Sequence, residues 1–140
     1  MIMVANGVKK ELVDDKYCFA CGPLNPIGLH MEVSFGDNKA FSKLSLKQEF
    51  QGWSDLVHGG VMAAVLDEIM AHAVIHYVGQ AVTTSLQVTF RAPLQVGEEI
   101  EATGYVIEHT RRGAVARAEI RRLQGNTLIA TGESKFLLQA

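Results

Sequence analysis

The sequence predicts an α+β fold in which one long central helix is wrapped by a curved antiparallel sheet, in the order β-β-α-β-β-β-β. Three observations carry this. A single apolar segment from about Gly60 to Tyr77 has no proline and no glycine after its first residue, which favours a helix. On both sides of it apolar and polar residues alternate with period two, the pattern of half-buried strands. Short turn signals, Gly36-Asp37-Asn38, Arg111-Arg112-Gly113 and Gly125-Asn126, separate those strands and imply antiparallel neighbours.

Taken in order, residues 1–17 lack a sustained period and read as a loose or short helical lead-in. Leu29, Met31, Val33 and Phe35 share one face of a first strand, and Phe41, Leu44 and Leu46 continue as a second that pairs with it in a hairpin. A loop from Gln48 to Val57 leads into the helix, which Gly79 ends. Thr84, Leu86, Val88 and Phe90 alternate before Ala92-Pro93, then Ile100, Ala102, Gly104 and Val106. Val115 to Leu123 and Thr127 to Leu138 complete six strands. With neither repeat nor linker, residues 1–140 read as a single domain.

Composition narrows the function. A hydrophobic content of 48% with 20% charged residues suits a soluble globular core. The net charge of -2 supplies no basic face for nucleic acid or an anionic membrane, so neither is an expected partner. The longest apolar run, Val61 to Leu66, is too short to span a bilayer. The first six residues lack a basic and then apolar leader, so a cytoplasmic location is expected. The single Cys18-x-x-Cys21 pair has no second pair to complete a structural zinc site, and the Gly and Pro residues after it are loop chemistry rather than a redox helix. Reduced cysteines packing a tight loop, with no metal and no cofactor, are the expectation.

The helix carries the candidate chemistry. Asp67 shares a face with Gly60, Ala63, Ala64, Ala71 and Val74, whose small side chains leave room beside an acid. Met62, Leu66, Met70 and Tyr77 lie opposite, as a packing face. Glu68, His72 and His76 form a third stripe at i, i+4, i+8, open to reading as a metal stripe or as a partly wet edge or subunit contact with Glu68 a surface acid. At the other end, His58-Gly59-Gly60 opens the helix with free N–H groups and no bulk or capping side chain to consume them, suiting an oxyanion. The competing account is a sharp Gly-Gly turn with His58 satisfying a nearby backbone group. Gly59 and Asp67 are eight residues apart, about 12 Å of helix. They cannot meet at one carbonyl within a subunit, whereas antiparallel helices about a two-fold axis would bring them together.

The segment Phe50-Gln51-Gly52-Trp53 to His58-Gly59-Gly60, with Asp67-Glu68 behind it, resembles the hotdog-fold thioesterases of the PaaI-like branch. Cys18-x-x-Cys21-Gly22-x-x-Asn25-Pro26-x-Gly28-Leu29 is similar to a segment common in that branch. The resemblance covers roughly residues 17–138 and implies dimers that join their sheets, or dimers of dimers, with acyl-thioesters bound between subunits. It implies Asp67 as base or nucleophile, the Gly59 N–H on the thioester carbonyl, and Thr83 as a hydroxyl holding water or substrate, with Thr84 the competing choice. His58 belongs to the catalytic turn, shaping it rather than transferring a proton, Gly60 beside it and Gln51 on an amide-bearing loop are candidates for holding substrate, and Arg111, Arg112 and Gly113, with Arg91 second, are candidates for CoA phosphates.

The resulting expectation is an acyl-CoA thioesterase acting on a small to medium acyl or aryl thioester. An acyl-CoA binding or sensing protein on the same fold is the alternative. A hydratase would need a paired Asp and His, and Asp67 and His72 have the i, i+5 spacing but lie on different helix faces. Burial beside alanines is expected to raise the Asp67 pKa, and an opposing helix end to lower it. Trp53, Met62 and Met70 are candidates for an acyl pocket as well as for core.

Overall fold

A computed structural model describes residues 12–139. The expected order is realised: strands β1 (Ser34–Gly36) and β2 (Lys39–Ser45), helix α1 (Gly59–Tyr77), then β3 (Ala81–Phe90), β4 (Glu99–His109), β5 (Gly113–Arg122) and β6 (Leu128–Leu138). The six strands form one antiparallel sheet in the order β1-β2-β4-β5-β6-β3, leaving β3 at one edge. The fold is the hotdog, with α1 laid across the concave face of the sheet.

The β1–β2 hairpin closes through Asp37 and Asn38, both at positive φ (52° and 61°) between the paired Gly36 and Lys39. This two-residue turn matches the twist of the strands, and Asp and Asn tolerate it better than most residues. The first strand is shorter than its alternation implies. Leu29 and Met31 are buried as expected, but their N–H groups bond the carbonyls of Phe19 and Ala20 instead of a strand. The N-terminal loop has taken the ladder positions. In β2 the inward residues are Ala40 and Ser42, with Leu46 just beyond, so Phe41 lies on the other face. Of the proposed lead-in, residues 1–11 lie outside the described residues, and 12–17 form neither helix nor strand.

The helix buries Met62, Val65, Leu66, Ile69, Met70, Ala73 and Val74, a stripe at i, i+3, i+4, i+7. At roughly 1.5–3 kcal/mol for each large side chain, this stripe fixes the helix to the sheet. The inner face of the sheet is made small to receive it: Ala102 and Gly104 on β4, Ala114, Ala116 and Ala118 on β5, and Ala130 and Gly132 on β6. At Gly104 a side chain would meet the Ile69 carbonyl oxygen at 2.7 Å, so helix backbone and sheet backbone almost touch. Two residues depart from the expected helix faces. Val74 is buried in the core rather than beside Asp67. Tyr77 stands at the rim, its hydroxyl donating to the Lys39 carbonyl at 3.1 Å. By length and composition α1 is apolar enough to cross a bilayer, but its apolar stripe is spent on the sheet.

Candidate active site

Asp67 lies half-buried on α1, turned toward the start of β3. Thr83 donates its hydroxyl to Asp67 Oδ1 at 2.7 Å. Burial pushes the Asp67 carboxyl above its ordinary pKa, the neighbouring Glu68 charge adds to this, and the Thr83 hydrogen bond opposes both. The result is a carboxylate with raised basicity, held by a hydroxyl and flanked by Ala63, Ala64 and Ala71, each only partly buried.

The choice between Thr83 and Thr84 turns on one irregularity. The β3–β6 register shifts between Thr83 and Ser85, so Thr84 sits in a bulge without a pairing partner on β6. Its hydroxyl donates to the Lys135 carbonyl at 3.2 Å, leaving Thr83 aimed at Asp67. Sequence alternation cannot reveal such a bulge, because the extra residue resets which side chains face the helix.

At the helix start, His58 occupies the cap position, and its Nδ1 accepts from the Gly60 N–H at 2.9 Å, which assigns the ring proton to Nε2. The expectation that no side chain consumes the N–H groups is therefore corrected. Gly60 is engaged by His58, whereas the Gly59 N–H has no hydrogen-bond partner among the described residues. The capped turn leaves one donor free, at the positive end of the helix. The Phe90 ring at the end of β3 lies over Gly59, 3.3 Å from where a Cβ would stand. Beside it opens a largely apolar cavity of about 480 Å³ lined by Gly52, Trp53, Leu56, His58, Gly59 and Met62, among others. Trp53 is 84% exposed and Met62 lines the cavity, while Met70 is fully buried in the core.

The remaining candidates fall around this frame. Gln51 spends its side-chain oxygen on the Asp55 N–H at 3.1 Å and closes the loop before the helix. Arg112 and Gly113 line a second cavity of about 500 Å³ together with Thr84, His109, Lys135 and Phe136. Arg111 is exposed on the same turn, and Arg91 is exposed just past β3. His72 does not approach Asp67 as a hydratase pair would require. It bonds Glu68 at 2.9 Å across one helical turn. His76, one turn further along the stripe, stacks on Phe35 with centroids 3.8 Å apart, and the His72 ring lies 6.3 Å from the same Phe35.

Glu68 is not a surface acid. Its side chain is 16% exposed and faces the N-terminal loop, where the Cys18 thiol lies 3.7 Å from Oε2. Burial alone would push its pKa up, but hydrogen bonds from His72 and both thiols, with the His72 charge, bring it below the ordinary range. The Cys21 thiol is pushed far up, by burial first and then by Glu68.

The sequence profile described as the thioesterase superfamily matches residues 55–129, from the loop before α1 to the start of β6. This chain belongs to the thioesterase superfamily. Within it, the chain is 24% identical over 102 residues to acyl-coenzyme A thioesterase 13 of mouse (Mus musculus), covering 71% of this chain and 73% of that protein. The human (Homo sapiens) protein of the same name matches equally. Among solved structures, zebra fish thioesterase superfamily member 2 is similar with a TM-score of 0.72 and 24% identity, covering 78% of this chain and 81% of that one. The E. coli PaaI protein is similar with a TM-score of 0.74 and 20% identity, covering 80% and 81%. The superfamily member described here thus has the hotdog fold, which it shares with the PaaI protein.

Proposed function

We propose that this protein is an acyl-CoA thioesterase that hydrolyses a small to medium acyl or aryl thioester at a site shared between two subunits. The observation that carries the reading is the Thr83–Asp67 hydrogen bond, which orients a half-buried carboxylate of raised pKa. A thiolate leaves without a strong acid, so the reaction needs an activated water or carboxylate and a donor for the developing oxyanion. Asp67 supplies the first, and the unpartnered Gly59 N–H supplies the second.

The two groups belong to different subunits in this reading. β3 is a ten-residue edge strand with neither a charge nor a proline, and Leu86 and Phe90 on it are exposed. Natural edges of that length are normally blunted or covered, which supports pairing with β3 of a second copy. With a two-fold axis between Leu86 and Gln87, Thr83 lies opposite Phe90 of the partner subunit. Thr83 holds Asp67 and Phe90 covers Gly59, so that register brings the carboxylate of one subunit to the helix start of the other. The acyl group then enters the Trp53–Met62 cavity, and Arg112 and Lys135 offer cations to the CoA phosphates.

Thiol release from short, medium, long and aromatic acyl-CoAs tests the proposal. Native protein is expected to release thiol from one class, and Asp67→Asn to lose about 10²–10⁴-fold in rate, as for removal of a general base, while still binding acyl-CoA. Unchanged release by a folded Asp67→Asn variant refutes the assignment. Binding without release by the native protein would instead make it an acyl-CoA binding scaffold.

A further inference from the structure

The N-terminal loop and the back of α1 form a second cluster that the proposed reaction does not use. Cys18, Cys21 and Glu68 converge so that one ligand atom from each lies within 4.8 Å of the others, and all three are half-buried. They come from segments some fifty residues apart in the chain, and consecutive Asp67 and Glu68 point about 100° apart around the helix. Asp67 serves the Thr83 side, and Glu68 serves the cysteines. The loop is built to present both thiols together. Its chain reverses so tightly that the Gly22 N–H bonds the Cys18 carbonyl at 2.8 Å, and a Cβ at Gly22 would fall 2.3 Å from the Cys18 nitrogen. Only glycine fits directly after Cys21.

We propose that Cys18, Cys21 and Glu68 bind a thiophilic divalent cation of the zinc class, with His72 as the residue that orients Glu68. Tetrahedral zinc with sulfur at about 2.3 Å and carboxylate oxygen at about 2.1 Å places those two ligand atoms about 3.6 Å apart. The Cys18 Sγ to Glu68 Oε2 separation is 3.7 Å. His72 Nε2 holds that same oxygen at 2.9 Å, the support that ligating carboxylates require, and solvent fills the fourth position. On binding, both thiols give their protons to solvent and the two thiolates and the carboxylate surround the dication. The sequence presents one cysteine pair, and the fold supplies the carboxylate that extends it. The cation would clasp a loop that has no strand or helix of its own between residues 12 and 33 to the core helix. The inference does not depend on the thioesterase reading, because its readout is optical.

The test strips the reduced full-length protein with chelator and titrates it with Co(II), then displaces Co(II) with Zn(II). Expected are a thiolate-to-cobalt charge-transfer band saturating at one ion per chain, its loss in Cys18→Ser and in Cys21→Ser, and a rise in thermal midpoint with zinc. His72→Gln is expected to keep the band while weakening affinity about 10–100-fold, which separates an orienting residue from a ligand. No band in native protein whose two thiols titrate as free overturns the proposal. So does a band that survives in the Cys18→Ser/Cys21→Ser double variant, or a Cys18–Cys21 disulfide that persists in reductant.

Discussion

Replacing Gly104 by alanine tests how tightly the sheet positions the helix that carries Asp67. The added methyl would stand 2.7 Å from the Ile69 carbonyl oxygen and 2.9 Å from its carbon, both backbone atoms that no rotamer change can move. Restoring an ordinary contact of about 3.4 Å requires β4 and α1 to separate by roughly 0.7 Å, against the close packing that holds them. Overpacking of this kind costs about 1–3 kcal/mol. For a chain of this length that is a fall in thermal midpoint of about 3–15 °C. The same displacement acts two residues from Asp67 and strains its 2.7 Å bond to Thr83. A misplacement near 1 Å can cost about 10²-fold in rate, so kcat/KM is expected to fall by at least about tenfold even where the variant remains folded. Thermal unfolding and thiol release measure the two effects. Gly132→Ala is the internal comparison, because its methyl meets the flexible end of Met70 at 3.2 Å and should cost far less. If Gly104→Ala unfolds with native protein and keeps its rate, the close approach of helix and sheet is wrong, and with it the argument that this glycine positions the acid.

Three further outcomes follow from the site. Rate is expected to rise with pH through a limb above the ordinary carboxylate range, because burial raises the Asp67 pKa and the ionised form is the active one; Thr83→Val removes the opposing hydrogen bond and moves the limb higher, read from kcat/KM against pH. The same raised pKa means that ionising Asp67 destabilises the fold as pH climbs from the unfolded toward the folded pKa, so Asp67→Asn is expected to melt higher than native protein at neutral pH, and a lower melting point there would refute the burial argument. Gly59→Pro removes the proposed oxyanion donor at the first helical residue, where proline is tolerated and His58 already has the extended ψ of 135° that a following proline demands, while its ring also presses on Phe90, which lies 3.3 Å from where a Cβ would stand. It is expected to lose about 10²–10³-fold in kcat with little change in helicity. Mixed dimers with Asp67→Asn should then recover activity at the one intact site of each pair, and no recovery would refute the shared site.

Element type and order were legible in the sequence because each follows from local periodicity. The proline-free apolar segment forms α1, the alternating segments form strands, and Asp37-Asn38 and Gly125-Asn126 turn where they stand. Asp67, Gly59 and the resemblance around His58-Gly59-Gly60 could likewise be singled out from spacing along one helix. What the chain decides only when folded is pairing between distant segments. The backbone of Phe19 and Ala20 takes the partners expected for the first strand, and a bulge at Thr84 turns Thr83 toward Asp67. His58 consumes one of the two glycine donors. Glu68, which reads as a surface acid on a linear stripe, is turned against Cys18 and Cys21 because a loop some fifty residues earlier covers that face of the helix. Periodicity records which face a side chain occupies. Tertiary structure alone determines what stands opposite it, because that depends on contacts between residues far apart in sequence.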